Sequence, residues 1–403
     1  MSLLNYLISS NLKRRLSKFY FDSENPLESQ NNTLMYLLSK AKNTLYGKKY
    51  SFKEIASRDK FASRIPPLAY EEFFPIISKM LQGETNISWP GKINWFAKSS
   101  GTTNDKSKFI PVSYEALSFN HFKAGKDLLS IYLNNHPDSK IFTGKSLAIG
   151  GSRQISPLDN NIFTGDISAV LIKNLPIWAR FFRTPSMNIA LMSEWENKIE
   201  QMAMITSKQN VTSISGVPTW TIVLIKRILK LNKCENILEL WPNLELFIHG
   251  AVSFKPYKKL FDSLVPTNQL NYLETYNASE GFFAFQDKKD SDEMLLLLNH
   301  GIYYEFEDIA NKNKILSLDN VEINKNYALI ISTNSGLWRY KIGDTIVFSS
   351  LNPYRIRISG RTKQFINAFG EELIVENAEN AITKACSLTD STVFNFTAGP
   401  KYI

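Results

Sequence analysis

Cysteine is scarce in this chain: Cys234 and Cys386 are the only two among 403 residues, and they lie far apart in sequence. A disulfide-stabilised fold is therefore excluded, and this cysteine content is typical of a reducing compartment. Long hydrophobic runs are also lacking, since Met294–Leu298 is far shorter than the roughly 18 to 20 apolar residues of a membrane span. These absences predict a cytoplasmic protein without a membrane partner.

Several common catalytic patterns are missing as well. The four histidines show no paired spacing with cysteine or carboxylate residues, which disfavours a zinc site. No G-x-S-x-G sequence occurs and no G-x-G-x-x-G follows a strand, which disfavours a serine hydrolase of that type and a dinucleotide enzyme. The net charge of +9 allows an anionic partner such as a nucleotide. Because the lysines and arginines are scattered rather than striped, we expect no nucleic-acid partner.

What is present is typical of a large folded core, with 43% apolar and 21% charged residues. The length predicts two or three domains. Residues 1–90 are predicted to be mostly helical, with turns at Asn25-Pro26, at Pro66-Pro67 and before Gly91. Near-helical spacing of apolar residues from Leu4 to Phe19 favours a helix packed on the protein's own body, and a membrane-surface helix is the alternative.

From residue 93 onward, short apolar runs alternate with amphipathic stretches, as in α/β proteins. The clearest unit is a predicted strand at 244–248, a helix at 256–264 and a strand at 269–275. Such βαβ units bind ligands beyond the carboxyl ends of their strands, where Gly250-Ala251 and Tyr276–Gly281 fall. From residue 327 the pattern becomes β-rich, and a short hairpin, a helix at 375–386 and a last strand follow.

Four segments have residue types suited to chemistry. Residues 98–111 combine hydroxyls, Gly101, Lys106 and Lys108, a composition suited to binding phosphate, although a polar surface turn has the same composition. Residues 276–281 offer an aromatic ring for a base and a carboxylate for Mg²⁺, or they form an ordinary turn. Asp344, after Gly343, could accept hydrogen bonds from two ribose hydroxyls, or could belong to a hairpin turn. Residues 359–363 form a basic turn.

Each segment is a weak signal alone, but their order is specific. A Ser/Thr/Gly loop, then Tyr-x-x-Ser-Glu, then Arg-Tyr-x-x-Gly-Asp, then Gly-Arg, resembles the adenylate-forming enzymes. More narrowly, the chain resembles the Gretchen Hagen 3 family of acyl acid amido synthetases, in a bacterial-type version. The resemblance covers nearly the whole chain, including residues 92–98, 241–250 and 370–372.

The resemblance implies a two-step reaction with ATP and Mg²⁺ as cofactors. A carboxylate attacks the α-phosphorus of ATP, which releases pyrophosphate and leaves an acyl-adenylate. An amine, usually that of an amino acid, then attacks the acyl carbon to give an amide and AMP. The alternatives are a related ligase that passes the acyl group to coenzyme A and a non-catalytic nucleotide-binding protein. A monomer is expected.

The resemblance also implies roles for individual residues. The triphosphate would be cradled by a serine–threonine loop, the adenine would lie on Tyr276 and beside Gly250-Ala251, and Glu280 would hold Mg²⁺ beside Ser279. Asp344 would bind the ribose, with Arg361 nearby at a hinge. The catalytic residues would be Ser100, Lys108 and Glu280. The loop comprises Ser99, Ser100, Gly101, Thr102, Thr103 and Lys108, and the expected acyl pocket comprises Phe119, Phe122, Val217 and Trp220.

The fold that follows is α/β, with a large adenylate-forming domain of mixed sheets and flanking helices over residues 1–360. Residues 361–403 would form the hinge and the beginning of a small α+β C-terminal domain. Because family members run further, we expect this second domain to be incomplete. Plant members usually carry Tyr where Trp338 stands and Gly where Asp105 stands, and neither the acid nor the amine can be read from the sequence.

Overall fold

The computed structural model describes residues 3–99, 107–150, 155–158, 161–289, 291–311, 314–362, 365–368, 371–389, 391 and 393. Helices dominate the first 81 residues and then flank the sheets. In chain order the α-helices are α1 Leu3–Lys13, α2 Leu16–Glu24, α3 Pro26–Ala41, α4 Leu45–Lys49, α5 Arg58–Arg64, α6 Tyr70–Leu81, α7 Phe122–Asn135, α8 Ile167–Lys173, α9 Ile177–Phe182, α10 Met187–Ala190, α11 Trp195–Thr206, α12 Pro218–Asn232, α13 Lys258–Leu264 and α14 Val375–Thr389.

The strands of the described residues form one large mixed sheet, one smaller sheet and a hairpin. In chain order they are β1 Trp95–Ser99, β2 Lys108–Val112, β3 Lys145–Ala148, β4 Ser156–Leu158, β5 Ile162–Gly165, β6 Arg183–Thr184, β7 Val211–Gly216, β8 Leu246–Gly250, β9 Asn271–Ala278, β10 Gly281–Phe285, β11 Met294–Leu296, β12 Ile302–Asp308, β13 Ile315–Leu316, β14 Asn326–Thr333, β15 Tyr340–Leu351, β16 Tyr354–Arg361, β17 Phe365–Ala368 and β18 Glu371–Ile374.

The large sheet has the strand order β13-β12-β14-β15-β16-β11-β10-β9-β8-β7-β3-β6. Its half from β9 to β6 is parallel, and its other half is antiparallel. The smaller sheet has the order β2-β1-β5-β4. Helices α11 and α12 pack on the parallel half, whose buried strands contribute Leu147, Ile214 and Phe247 to one core. The α/β class with mixed sheets and flanking helices is confirmed.

The first predicted helix is two helices, α1 and α2, because the chain turns at Arg14-Arg15. Leu12, Leu16 and Phe19 are buried in one cluster with Leu128 of α7. Beneath them, the Arg15 guanidinium donates to Asp127 at 2.8 Å, and His300 lies 3.0 Å from the other oxygen of the same carboxylate. The expectation that this segment packs on the protein's own body is confirmed.

The predicted βαβ unit is present. Strands β8 and β9 pair in parallel, from Leu246 opposite Asn271 to Gly250 opposite Thr275. The helix is a short 3₁₀ turn at Lys255–Tyr257 followed by α13, because Pro256 lacks the N–H of a helix interior. Each strand extends further toward its carboxyl end than predicted, so both candidate turns begin within the strands.

The β-rich region after residue 326 is also confirmed, as strands β14 to β16. The predicted hairpin and helix beyond residue 361 are β17, β18 and α14. Helix α14 lies against β16 and against Lys255–Tyr257. The last predicted strand lies outside the described residues. None of the described helices is both long enough and apolar enough to cross a lipid bilayer.

Candidate active site

One large cavity, of about 1200 Å³, opens at the carboxyl ends of β8 and β9. Strands β15 and β16 and helix α14 complete its walls. The structure brings most of the described candidate residues to it, although they come from segments far apart in sequence. Those on its lining are Ser99, Lys108, Ala251, Tyr276, Ser279, Glu280, Asp344 and Arg361.

Asp344 is the centre of a hydrogen-bonded group. The Tyr276 hydroxyl donates to its Oδ2 at 2.6 Å, and the Arg361 Nε lies 3.0 Å from its Oδ1. Residues 344 and 361 are also register partners on β15 and β16, which fixes the ion pair. Because a carboxylate accepts about four hydrogen bonds, each oxygen keeps a free lone pair for a ligand hydroxyl.

Tyr276 is more buried than a ring needs to be in order to stack on a nucleotide base. It is 5% exposed, and its ring lies 4.7 Å from the Phe283 ring, centroid to centroid. Burial and the charge of Asp344 raise the pKa of Tyr276 well above its usual value, so its hydroxyl stays protonated and donates. The contact between Tyr276 and Asp344 joins two segments that sequence reasoning assigned to separate parts of a ligand. Stacking of Tyr276 on adenine stays a prediction.

Glu280 follows β9 and lies close to both carboxylate and cationic groups. Burial and then the Asp344 charge raise the pKa of Glu280 to about 7, while Lys108 and Arg361 lower it. The cavity lining therefore carries two carboxylates, those of Glu280 and Asp344, together with two cationic side chains. Within the described residues, no three His, Cys, Asp or Glu side chains converge as a metal site. A cation here would depend on oxygens supplied by the ligand as well as on Glu280.

Ser99 is the last residue of β1 and Lys108 is the first residue of β2, and the two are register partners. The Lys108 ammonium lies 5.3 Å above the Tyr70 ring, a cation–π contact that holds its charge beside the cavity. Tyr70 in turn accepts a hydrogen bond from the Phe109 backbone N–H at 2.9 Å. The remaining loop candidates lie outside the described residues, namely Ser100, Gly101, Thr102 and Thr103.

Ala251 lies on the cavity lining, directly after Gly250, the last residue of β8. Ala251 has a φ of +71°, an uncommon conformation for a residue with a side chain. A Cβ at Gly250 would lie 2.4 Å from the Thr275 backbone oxygen, so only glycine fits between β8 and β9 here. Close strand packing is thus the visible reason for Gly250, and its contact with adenine stays a prediction.

Replacing Gly250 by alanine is expected to lower the free energy of unfolding by about 1–3 kcal/mol, because the new methyl group forces the two strands apart. Gly125, inside α7, is the matched control, since a Cβ there meets no atom within 4 Å. Gly125→Ala is expected to stabilise the protein by up to about 1 kcal/mol. Urea unfolding of both variants tests this, and equal stabilities would contradict it.

The four predicted acyl-pocket residues do not line the described cavity. Phe119 is 53% exposed, and Phe122 packs against the largest core. Val217 immediately precedes α12, and the Trp220 ring packs edge-on to Trp195 at 5.6 Å. The structure therefore does not bring these four residues together with the phosphate and ribose candidates, and their role stays a prediction.

Sequence reasoning missed His249 and the cavity face of α14. His249 is buried on the cavity wall, 4.4 Å from the Phe254 ring, and its Nδ1 has no partner among the described residues. Its place just before Gly250 at a strand end was the available signal, but the histidines were considered only as zinc ligands. The α14 residues on the lining are Glu379, Asn380, Thr383, Cys386 and Ser387.

The buried histidines are expected to lower the stability as the pH drops below about 6.5, because they stay neutral in the folded state, while the raised pKa of Glu280 offsets part of this loss. Burial lowers the pKa of His249 to about 3 and that of His121 and His300 to about 4, from 6.5. The unfolded chain therefore binds these protons at a higher pH than the folded chain does. This lowers the free energy of unfolding by about 1.4 kcal/mol per histidine for each pH unit below that point. Urea unfolding at pH 7 and 5.5 measures the loss. His249→Asn is expected to reduce this loss of stability by the contribution of one histidine. An unchanged dependence of stability on pH in this variant would contradict a neutral, buried His249.

Arg339 is not on the cavity lining, but its hydrogen bonds hold the start of the strand that carries Asp344. It is 4% exposed, and its Nε donates to Glu305 Oε2 at 2.8 Å. Its Nη1 also donates to the backbone oxygens of Ala62 and Ile65, at 2.7 and 2.6 Å. This arginine therefore ties the N-terminal helical region to β15, directly before the strand that carries Asp344. The arginine was part of the recognised motif, but its structural role was not predicted.

The fold is that of the adenylate-forming enzymes. The solved structure of AtGH3.15 acyl acid amido synthetase in complex with 2,4-DB matches with a TM-score of 0.80 over 95% of this chain and 76% of that one, at 18% identity. A 2-hydroxyisobutyryl-CoA ligase structure in complex with 2-HIB-AMP matches with a TM-score of 0.60 over 88% and 72%, at 13% identity. At these identities the likeness establishes the fold alone.

The chain belongs to the GH3 family. The model of the GH3 family N-terminal domain matches residues 15–270, and that of the GH3 family central domain matches residues 295–361. Two similar curated proteins from Arabidopsis thaliana are both named indole-3-acetic acid-amido synthetases. GH3.2 is 22% identical over 80% of this chain and 71% of its own length, and GH3.3 is 22% identical over 79% and 64%. The chain thus spans about two thirds of these ligases.

Proposed function

We propose that this chain is an ATP-dependent acyl acid amido synthetase that activates a carboxylic acid as an acyl-adenylate and transfers the acyl group to an amine. One observation carries the proposal above all: Tyr276, Glu280, Asp344 and Arg361 meet in one cavity with Lys108. Family membership and the names of the curated relatives support the same reaction. ATP would bind with its ribose at Asp344 and its phosphates toward Lys108.

The first step suits this set of residues. A carboxylate is a poor electrophile, and conversion to a mixed anhydride with AMP supplies a leaving group. Attack of the acid on the α-phosphorus brings two anions together, so cations must offset the charge. Lys108 and Arg361 can supply positive charge beside the phosphates, while the Ser99 hydroxyl can donate a hydrogen bond. Asp344 orients the nucleotide and does not react.

Mg²⁺ fits the donor chemistry of the site. Burial and then the charge of Asp344 raise the pKa of Glu280, so a divalent cation beside its carboxylate would favour the charged form and offset the repulsion. Bound there with the phosphate oxygens of ATP, Mg²⁺ would neutralise phosphate charge. Glu280 is the residue we assign to hold it.

The substrates and the organisation of the chain are part of the same proposal. The acid is a small-molecule carboxylic acid, and the amine is that of an amino acid, in line with the names of the curated relatives. We also propose a monomeric, cytoplasmic protein of the bacterial type, with a division between its domains at residue 360. The acyl pocket is assigned to Phe119, Phe122, Val217 and Trp220.

Exchange of labelled pyrophosphate into ATP tests the first step. Exchange that depends on an added carboxylic acid is the expected result, measured over a broad panel of acids with Mg²⁺ present. Absence of exchange with every acid, from protein that binds ATP, would favour a non-catalytic nucleotide-binding protein.

A coenzyme A ligase is the second candidate, since such a ligase shares this fold with a TM-score of 0.60. The two candidates share the first half-reaction, so the product decides between them. Amino acids are expected to yield an amide and AMP, identified by mass spectrometry. Formation of a thioester when coenzyme A replaces the amino acids would contradict the amido synthetase.

A further inference from the structure

The Asn120 side chain holds the backbone next to the turn that carries Glu280. Strands β9 and β10 form a hairpin in which Ser279 and Glu280 are the two turn residues. The Asn120 Oδ1 accepts from the Phe282 backbone N–H at 2.7 Å, and its Nδ2 donates to the Phe282 backbone oxygen at 3.1 Å. Both polar backbone groups of the second residue after Glu280 are therefore bonded to one side chain.

This amide takes the place of a neighbouring strand. On the side of β10 away from β9, strand β11 pairs with Ala284 and Phe285, which lie beyond Phe282 along β10. An asparagine side chain carries an acceptor oxygen and an NH₂ donor group, so it can bond a backbone N–H and a backbone oxygen at once. Asn120 thus supplies at Phe282 the hydrogen bonds that a longer β11 would supply.

The position of Asn120 is itself fixed. The residue is 1% exposed, and its Nδ2 also donates to the His300 backbone oxygen at 2.9 Å. It belongs to a π-helical segment, Ala116–His121, that leads directly into α7. A π-helical turn within a longer helix often lies beside a functional site. Asn120 therefore joins this helix to the β9–β10 hairpin and to the segment just before β12.

The start of β10 is packed as closely as it is bonded. A Cβ at Gly281 would lie 3.3 Å from the Asn120 Oδ1 and 2.5 Å from the Ile302 Cδ1. Glu280, the preceding residue, is on the cavity lining together with Asp344. A shift of this end of the hairpin would therefore move the Glu280 carboxylate relative to the other groups of the site.

We propose that Asn120 is a positioning residue that fixes the β9–β10 turn and thereby holds the Glu280 carboxylate where it binds Mg²⁺ together with ATP. The inference rests on the proposed function, which assigns Glu280 to Mg²⁺. Asn120 does not line the described cavity, so it acts through the Phe282 backbone and not by touching the ligand. Loss of a group that orients a metal ligand typically lowers metal affinity by about 10- to 100-fold.

Asn120→Leu in the full chain tests the proposal, with Gln30→Met as its matched control. Gln30, in α3, is 2% exposed and also makes three bonds to backbone groups. Its Nε2 donates to the oxygens of Leu298 and Ile302, and its Oε1 accepts from the Tyr304 N–H. Residues of β12 do not line the described cavity. Each substitution replaces a buried amide by an apolar side chain of similar size, so both should lower the melting temperature by similar amounts.

The two variants are expected to differ in how ATP binding depends on Mg²⁺. Calorimetric titration with ATP at a series of Mg²⁺ concentrations measures this dependence. For Asn120→Leu, the Mg²⁺ concentration that gives half of the full gain in ATP affinity should be about tenfold higher than for the wild type. For Gln30→Met it should stay within about twofold, because the bonds of Gln30 lie away from Glu280. In a Glu280→Gln background, Asn120→Leu should change it by less than about twofold, since the carboxylate is gone.

Gly281→Ala disturbs the same contact while keeping every hydrogen-bonding group. The end of the Ile302 side chain can move aside, whereas the new methyl group presses on the Asn120 Oδ1. The Mg²⁺ dependence should shift in the same direction as for Asn120→Leu, by a smaller factor. If Asn120→Leu does not fold, an unchanged Mg²⁺ dependence in Gly281→Ala overturns the inference.

Two further results would overturn the inference alone, given wild-type protein whose ATP binding Mg²⁺ strengthens. They are an equal Mg²⁺ dependence in Asn120→Leu and Gln30→Met, and an undiminished effect of Asn120→Leu in the Glu280→Gln background. Failure of the wild-type chain to bind ATP, or binding that Mg²⁺ does not strengthen, would instead refute the proposed nucleotide and Mg²⁺ site together with this inference. The two kinds of failure are therefore distinguishable.

Discussion

Replacement of Asp344 by asparagine is expected to lower kcat/KM for ATP in pyrophosphate exchange by about a hundredfold. The substitution keeps the shape of the side chain but removes its charge and one acceptor oxygen. The bonds from Tyr276 and Arg361 and those proposed to the ribose are all charge-assisted, and each is worth about 1.5–3 kcal/mol. Loss of the two bonds proposed to the ribose, taken at the low end of this range, is about 3 kcal/mol and corresponds to a factor of about a hundred.

The control for this substitution is Asp319→Asn. Asp319 forms an ion pair with Arg58 at 3.2 Å, with both side chains about one third exposed, and it is not on the cavity lining. Exposed ion pairs contribute at most about 1 kcal/mol, so activity should stay within about twofold. If Asp344→Asn and Asp319→Asn were equally active, Asp344 would not be the ribose ligand.

Replacement of Arg339 by methionine is expected to lower the free energy of unfolding by about 3–5 kcal/mol. Removal of the guanidinium leaves the buried Glu305 carboxylate unpaired and leaves two backbone oxygens without donors. Urea unfolding measures this loss. Arg58→Met, which breaks the exposed pair with Asp319, should cost less than about 1 kcal/mol.

A double variant separates the charge from the packing in this prediction. Arg339→Met combined with Glu305→Leu removes both buried charges, so it should be more stable than Arg339→Met alone. The recovery should be partial, because Ala62 and Ile65 still lack their hydrogen-bond donor. A loss below about 1 kcal/mol for Arg339→Met would show that the buried pair does not hold the N-terminal helices to β15.

Local patterns predicted the elements of the fold well. Alternation and turn residues identified β8, β9 and the antiparallel strands after residue 326, because these signals lie within a few neighbouring residues. The break between α1 and α2 was missed, since the apolar spacing continues through Arg14-Arg15, where Arg15 forms an ion pair with the distant Asp127. Such long-range ion pairs leave no local trace in a single sequence.

The candidate site was predicted in composition but not in geometry. Motif order indicated Tyr276, Glu280, Asp344 and Arg361. The hydrogen bond from Tyr276 to Asp344 instead depends on the long-range folding that brings together β9 and β15, which are not neighbours in the large sheet. His249 escaped notice because its importance comes from burial without a partner for its Nδ1 among the described residues, which is a property of the folded chain. The acyl-pocket residues follow from the family resemblance alone, and their role stays a prediction. The packing of Phe122 and Trp220 against hydrophobic cores depends on long-range contacts that leave no mark in the sequence.

A structure of the protein soaked with AMP or a non-hydrolysable ATP analogue tests the central claim most directly. The account predicts one nucleotide in the cavity between β9 and β15, with its ribose hydroxyls within hydrogen-bond distance of Asp344 and its phosphates toward Lys108 and Glu280. A nucleotide bound elsewhere on the molecule, with Asp344 still bonded to Tyr276 and Arg361 only, would contradict it.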